Sequence, residues 1–178
     1  MIFWFFGFPG IGKDFCAKRL KKLINAKYIH IDSFLTKQDK QKLIDGTFST
    51  EDRLNKLKRT ADYFKKVLKK NKHIVAADSL PDHQSRNFLY KNFQNNIVFI
   101  LVKVSAEIHK RRIHERENHF FTEDMLAHWE KKHWVEPIKI PYLVLDNNKD
   151  GDKHIKLEVV KIYHQLSKNN LFGDNNNS

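Results

Sequence analysis

Met1-Ile2-Phe3-Trp4-Phe5-Phe6 runs into Gly7-Phe8-Pro9-Gly10-Ile11-Gly12-Lys13-Asp14 and then into Phe15-Cys16-Ala17-Lys18-Arg19-Leu20, and this stretch reads as strand, glycine loop and helix. The apolar run does not alternate, as expected of a strand buried on both faces of a parallel sheet. Gly7, four intervening residues and Gly12-Lys13 match the phosphate-cradling pattern in all but its last position. That chemistry needs these residue types. Glycines let backbone N–H groups turn inward with no Cβ in the way, the next helix aims its positive end at the same point, and the lysine reaches the β and γ phosphates. Gly7, Pro9, Gly10, Ile11, Gly12, Lys13, Asp14 and Phe15 are therefore the expected nucleotide-binding set.

Asp14 stands where a metal-ligating serine or threonine normally follows the lysine. A carboxylate is a better hard-cation ligand than a hydroxyl, but a triphosphate repels it unless a metal lies between them. The departure leaves two outcomes open: a site that leans more heavily on its metal, or one that binds nucleotide without turnover.

Farther along, Lys27-Tyr28-Ile29-His30-Ile31-Asp32 and His73-Ile74-Val75-Ala76-Ala77-Asp78 are short β-prone runs that each close on an acid. Ligands of open α/β sheets sit outside the carboxyl ends of the strands, so both acids are expected to face the loop's crevice. Asp32 is the candidate to accept a proton from an attacking hydroxyl, or else a cap for a helix starting near Ser33. Asp78 is the candidate to hold Mg²⁺ through water. A helix over 13 to 25 precedes the first of these runs. A long helix opening at Thr50-Glu51-Asp52-Arg53 precedes the second, with apolar positions at Leu54, Leu57, Ala61, Phe64, Val67 and Leu68. Arg53 is placed to hold an anionic or hydroxylated acceptor, or is simply exposed. Pro81 opens another helix, from which Arg86 is expected to point back toward the acceptor.

Asn96-Ile97-Val98-Phe99-Ile100-Leu101-Val102 is a buried strand and Ile138-Lys139-Ile140-Pro141-Tyr142-Leu143-Val144-Leu145-Asp146 a further one, with Pro141 near its start. Strands separated by helical segments mean a parallel sheet with helices on both faces. Arg112 and Arg116 share a helical face, able to close over transferring phosphates or merely solvated. Helix 123 to 133 follows. Asn147-Asn148-Lys149-Asp150-Gly151 is a turn of the kind that contacts a base, and a closing helix spans 155 to 166.

Length and charge bound the rest. At 178 residues the chain is expected to form one domain over 1–168, with a polar, disordered tail over 169–178. A single cysteine, Cys16, excludes a disulfide framework and fits core packing and a reducing, cytoplasmic compartment. No signal peptide is expected, because the apolar start has no basic region before it, and no stretch is long enough for a membrane. The 33 basic against 21 acidic residues give +12, which admits nucleic acid as a partner. The lysines are dispersed, however. Lys18, Lys21, Lys22, Lys56, Lys58, Lys65, Lys66, Lys69 and Lys70 read as solvated helix faces, so small molecules are the favoured substrates.

Together these residues resemble the small phosphate-loop kinases of the gluconokinase and shikimate kinase group. The likeness spans about residues 1 to 137. Beyond the loop it rests on Lys42-Leu43-Ile44-Asp45-Gly46 followed by Glu51-Asp52-Arg53, similar to the gluconokinase substrate-lobe segment with one residue fewer between glycine and arginine. It rests also on Arg112, Arg116, His119-Phe120 and Glu136-Pro137, similar to that group's lid and following helix. The resemblance implies an α/β chain of three-layer α/β/α P-loop NTPase fold with a five-stranded parallel sheet. A helical substrate lobe is expected over about 33–70 and a lid over about 111–124, in a monomer or homodimer. It implies ATP and Mg²⁺, Lys13 on the phosphates, Asp32 on the acceptor hydroxyl, and Arg112 and Arg116 in the lid, with His119 nearby as a substrate-binding candidate. Gly7-Phe8-Pro9-Gly10, Ile31-Asp32 and the segment from Asp78 to Arg86 are also similar to phage-type polynucleotide kinase domains, so a nucleic-acid 5′-hydroxyl is an alternative acceptor.

Overall fold

Ile2–Phe6 (β1) is buried along its whole length, and its alternate side chains decide where the helices lie. Ile2, Trp4 and Phe6 enter one core, while Phe3 and Phe5 enter a second core on the opposite face. In the computed structural model, which describes residues 1–115, 136–149 and 151–168, β1 is followed by Lys13–Leu23 (α1), Lys27–His30 (β2), Lys37–Ile44 (α2), Thr50–Leu68 (α3) and Ile74–Ala77 (β3). Then come His83–Phe93 (α4), Ile97–Lys103 (β4), Ala106–His114 (α5), Tyr142–Asp146 (β5) and Asp152–Lys168 (α6).

The five strands are parallel in the order β2-β3-β1-β4-β5. β1 is thus the central strand, with Phe3 level with Val75 on one side and Val98 on the other. The first core takes Leu57, Ala61, Phe64 and Val67 of α3 with Leu89 and Phe93 of α4. The second takes Cys16, Ala17 and Leu20 of α1 with Ile155, Val159, Ile162 and Leu166 of α6. Two helical layers on a parallel sheet are the expected α/β/α architecture. Burial pushes the Cys16 thiol up to about 12, which leaves it a packing residue with little thiolate character. No helix among the described residues is long and apolar enough to cross a membrane.

Local rules explain the element boundaries. Thr36 and Asp39 cap α2 reciprocally, and Ser49 and Asp52 do the same for α3; each pair satisfies orphan donors of a first helical turn. The cap of α3 is Ser49, one residue ahead of the expected start at Thr50. α1 ends at Leu23, two residues short of the expected end, as Ile24 turns the chain away. Pro81 likewise precedes the cap of α4, which is Asp82, rather than lying inside its first turn.

Arg86 departs from expectation most. It is 0% exposed and its guanidinium donates to the carbonyls of Leu80 and Pro81 and, across the fold, of Glu136 and Pro137, at 2.7–3.1 Å. Leu80 has φ +45°, a left-handed conformation unusual for leucine, and Arg86 holds that turn. All four of these bonds hold backbone carbonyls of the fold, and none reaches toward the acceptor. Arg86→Met is expected to leave buried carbonyls without donors and to cost about 3 kcal/mol. Urea unfolding reads this loss. Arg86→Lys should recover little of it, since an ammonium cannot reproduce the planar fork.

Candidate functional site

The turn between β1 and α1 is shaped by its glycines. Gly10 and Gly12 both have φ +86°, where any Cβ is strained. A Cβ on Gly12 would stand 2.7 Å from Asn147 Nδ2, and one on Gly10 3.1 Å from Ile113. Gly12 is the N-cap of α1 and makes no side-chain cap bond, so the first-turn N–H groups lack helical acceptors, the arrangement that favours an anion. Lys13 is buried and its Nζ donates to Phe8 O at 2.6 Å, which folds the ammonium over the turn.

Two residues from the far half of the chain clamp this turn. Buried Asn147, just past β5, donates from Nδ2 to Ile11 O at 2.7 Å and from its backbone to Lys103 O at 2.8 Å. His109 of α5, also buried, lies with Nε2 2.7 Å from Pro9 O; a carbonyl only accepts, so the proton is on Nε2. Both asparagines of the turn 147–151, expected to meet a base, are tied into the fold. Asn147 is bonded to the loop, and Asn148 accepts from Ser105 N at 2.5 Å. Asp150 lies outside the described residues. Gly12→Ala combines a backbone strain of about 1–2 kcal/mol with displacement of Asn147. It is expected to weaken ATP binding at least tenfold while the protein stays folded, as calorimetry alongside circular dichroism would read.

A cleft of about 750 Å³ opens from the loop. Of the expected nucleotide set, Pro9, Gly10, Gly12, Lys13, Asp14 and Phe15 line it. Gly7 and Ile11 do not: both are buried, and a Cβ on Gly7 would meet Ile11 at 2.6 Å and Val102 O at 3.0 Å. Asp32 lines the cleft from a 3-10 turn, Ile31–Phe34, that follows β2. It caps nothing, because the cap of that turn is His30 and the cap of α2 is Thr36. Its carboxylate is exposed and has no partner among the described residues.

Asp78, just past β3, also lines the cleft, but both its oxygens are engaged: Oδ2 lies 2.6 Å from Lys56 Nζ and Oδ1 accepts from Ser79 N at 2.7 Å. Burial pushes its carboxyl up, and the Lys56 ammonium with these hydrogen bonds outweighs that and holds it below the usual range. Lys56 corrects the reading of the dispersed lysines. It is 3% exposed and belongs to the cleft wall rather than to a solvated face. Its position three residues after Arg53 was the available signal, since both then fall on one side of α3. Arg53 is not an exposed arginine either: its Nε donates to Asp82 Oδ2 at 2.9 Å, its guanidinium lies 5.5 Å from the Phe48 ring centroid, and it lines the cleft.

Asp14 accepts a hydrogen bond from the Tyr28 hydroxyl. Burial, then this bond, pushes the Tyr28 phenol well above its ordinary value, so it remains a donor. Arg112, in the last turn of α5, reaches Lys149 O at 3.5 Å and is not among the cleft-lining residues. Arg116, His119, helix 123 to 133, most of the expected lid and the tail 169–178 lie outside the described residues.

A glycine turn and lysine at the carboxyl end of the central strand of a parallel sheet, opening on an uncapped helix, define a phosphate-loop α/β protein. A protein-family profile described as an AAA domain matches residues 2–134, and the chain belongs to that family. No curated protein matches the sequence. Among solved structures, a gluconokinase from Sinorhizobium meliloti superimposes with TM-score 0.78 at 18% identity, covering 97% of this chain and 96% of that one. A shikimate kinase from Bacteroides thetaiotaomicron gives 0.65 at 12% identity over 94% and 98%. An APS kinase from Mycobacterium tuberculosis, solved with AMPPNP and APS, gives 0.65 at 17% identity over 93% and 96%. The fold is that of the small P-loop kinases of the gluconokinase and shikimate kinase group.

Proposed function

We propose that the protein is an ATP-dependent phosphotransferase that moves the γ-phosphoryl group of ATP to a hydroxyl of a small metabolite such as a sugar acid. The observation that carries this reading is one cleft shared by the uncapped head of α1, Lys13 and Asp32, whose carboxylate has no partner among the described residues. The loop suits a polyphosphate because the head of α1 has no side-chain cap and Pro9, Gly10, Gly12 and Lys13 line the cleft there. Backbone N–H groups of the first turn and Lys13 bind the β and γ phosphates and hold them in line with the acceptor. Asp32, across the cleft, orients the acceptor hydroxyl and takes its proton.

Mg²⁺ fits the oxygen donors at this end of the cleft. Asp14 has one oxygen committed to Tyr28 and its other oxygen available as a direct ligand, and Asp78 acts through water because both its oxygens are engaged. Bound there with ATP, the ion neutralises charge on the phosphates. The names of the structural neighbours, which include gluconate, shikimate and APS kinases, support a small hydroxylated acceptor.

ATP consumption with Mg²⁺ against D-gluconate, shikimate, nucleoside monophosphates and 5′-hydroxyl oligonucleotides tests this. Turnover with a small acceptor is expected. Turnover with the oligonucleotide alone, falling steeply with salt, would move the acceptor to nucleic acid. ATP binding without transfer to any acceptor, restored by Asp14→Ser, would mark a nucleotide-binding module blocked at Asp14.

A further inference from the structure

Lys56 is a buried ammonium in the wall of a polar cleft, and its partners do not exhaust it. An ammonium has three N–H donors. Among the described residues one is met, by Asp78 Oδ2 at 2.6 Å, while the other oxygen of Asp78 is already taken by Ser79 N. Burying a lysine is costly unless its donors are satisfied, and at 3% exposure bulk water does little to satisfy the rest. The remaining donors lie at the cleft, which Lys56 lines.

One helical turn earlier, on the same side of α3, Arg53 repeats the arrangement. Its Nε is committed to Asp82, whose other oxygen caps α4 through Ser85 N. No partner among the described residues takes its other N–H groups. Two cations, each anchored by its own aspartate, therefore line the same cleft with spare donors. Phe48 lies beside Arg53, and Leu35 and Leu43 also line this cleft; their side chains offer no hydrogen bonds. The anchoring matters: each aspartate fixes the position of its cation while leaving the open donors directed elsewhere.

We propose that Lys56 is a specificity-determining residue for the acceptor. Held by Asp78, it donates to an anionic oxygen of the substrate beside Arg53, so that the acceptor is selected as a compact hydroxy acid over the matching neutral alcohol. This rests on the phosphotransferase reading above, and adds to it a residue and a reason for discrimination: in a cleft where the neutral alcohol offers no charge, the spare donors of a buried ammonium lose their partner.

The test is equilibrium binding to the full chain saturated with AMPPNP, with D-gluconate and shikimate as acid probes and D-glucitol and methyl shikimate as their neutral counterparts. AMPPNP uptake is measured first in every variant. Its absence in the wild type would strike the phosphotransferase reading, and this inference with it. Given uptake, at least one acid is expected to bind the wild type at least tenfold more tightly than its neutral counterpart. Lys56→Met should remove that preference with AMPPNP affinity unchanged, and Lys56→Arg should keep part of it. Should Lys56→Met fail to fold because Asp78 is left without its cation, Lys56→Gln, which keeps an N–H donor for Asp78 without the charge, is expected to show the same loss. An acid preference that survives in whichever of these variants folds, or no acid bound by the AMPPNP-loaded wild type, would overturn the proposal.

Discussion

Lys13→Ala is expected to lower kcat/KM for ATP-dependent transfer by a thousandfold or more. Phosphoryl transfer asks little covalent chemistry of a protein; most of its acceleration comes from positioning and from countering charge on the oxygens of the moving group. Loss of a single uncharged donor from such a site costs about 2.7–4 kcal/mol, and Lys13 offers a full positive charge from a buried position 2.6 Å from Phe8 O. A low-dielectric setting strengthens that charge. Steady-state kinetics checks the figure, with circular dichroism confirming that the variant is folded. Turnover within tenfold of wild type would remove the loop from the reaction.

Asp32→Asn should separate binding from chemistry. General-base assistance contributes about 10²–10⁴-fold, so kcat is expected to drop by that amount. Its carboxylate caps no helix and has no partner among the described residues, so stability and ATP affinity should hold. Single-turnover kinetics beside calorimetry distinguishes the two. An unchanged kcat would assign the proton to another group, and a lost ATP affinity would mean that Asp32 belongs to the nucleotide side of the cleft.

The two strongest sequence signals were local. Six consecutive apolar residues ahead of a glycine turn determine a doubly buried strand and the helix that follows it, and Asp32 and Asp78 are found just past strand ends, where a parallel sheet exposes its ligands. What escaped was what depends on pairing over long sequence separation. Nothing beside Lys56 in the chain announces Asp78 as its partner, 22 positions away, so a lysine in a basic helix read as solvated. Arg86 was misjudged for the same reason: its acceptors at Glu136 and Pro137 come from a distant segment. Asn147 and His109 look like an ordinary turn residue and an ordinary helical histidine until the fold brings them to Ile11 and Pro9. Tyr28 was seen as a strand residue, and its hydroxyl bond to Asp14 follows only from β2 lying within reach of the head of α1.

The clamp that Asn147 and His109 place on Pro9 and Ile11 also sets a schedule. Ribosomes deliver the amino end first, at about 5–20 residues per second, so a nascent polypeptide holds every glycine of its phosphate turn long before it holds the two side chains that lock that turn in shape. The turn therefore gains its clamped shape late in translation, when the strand preceding Asn147 joins the sheet edge, and an interrupted product ending before it would carry the signature residues without that clamp.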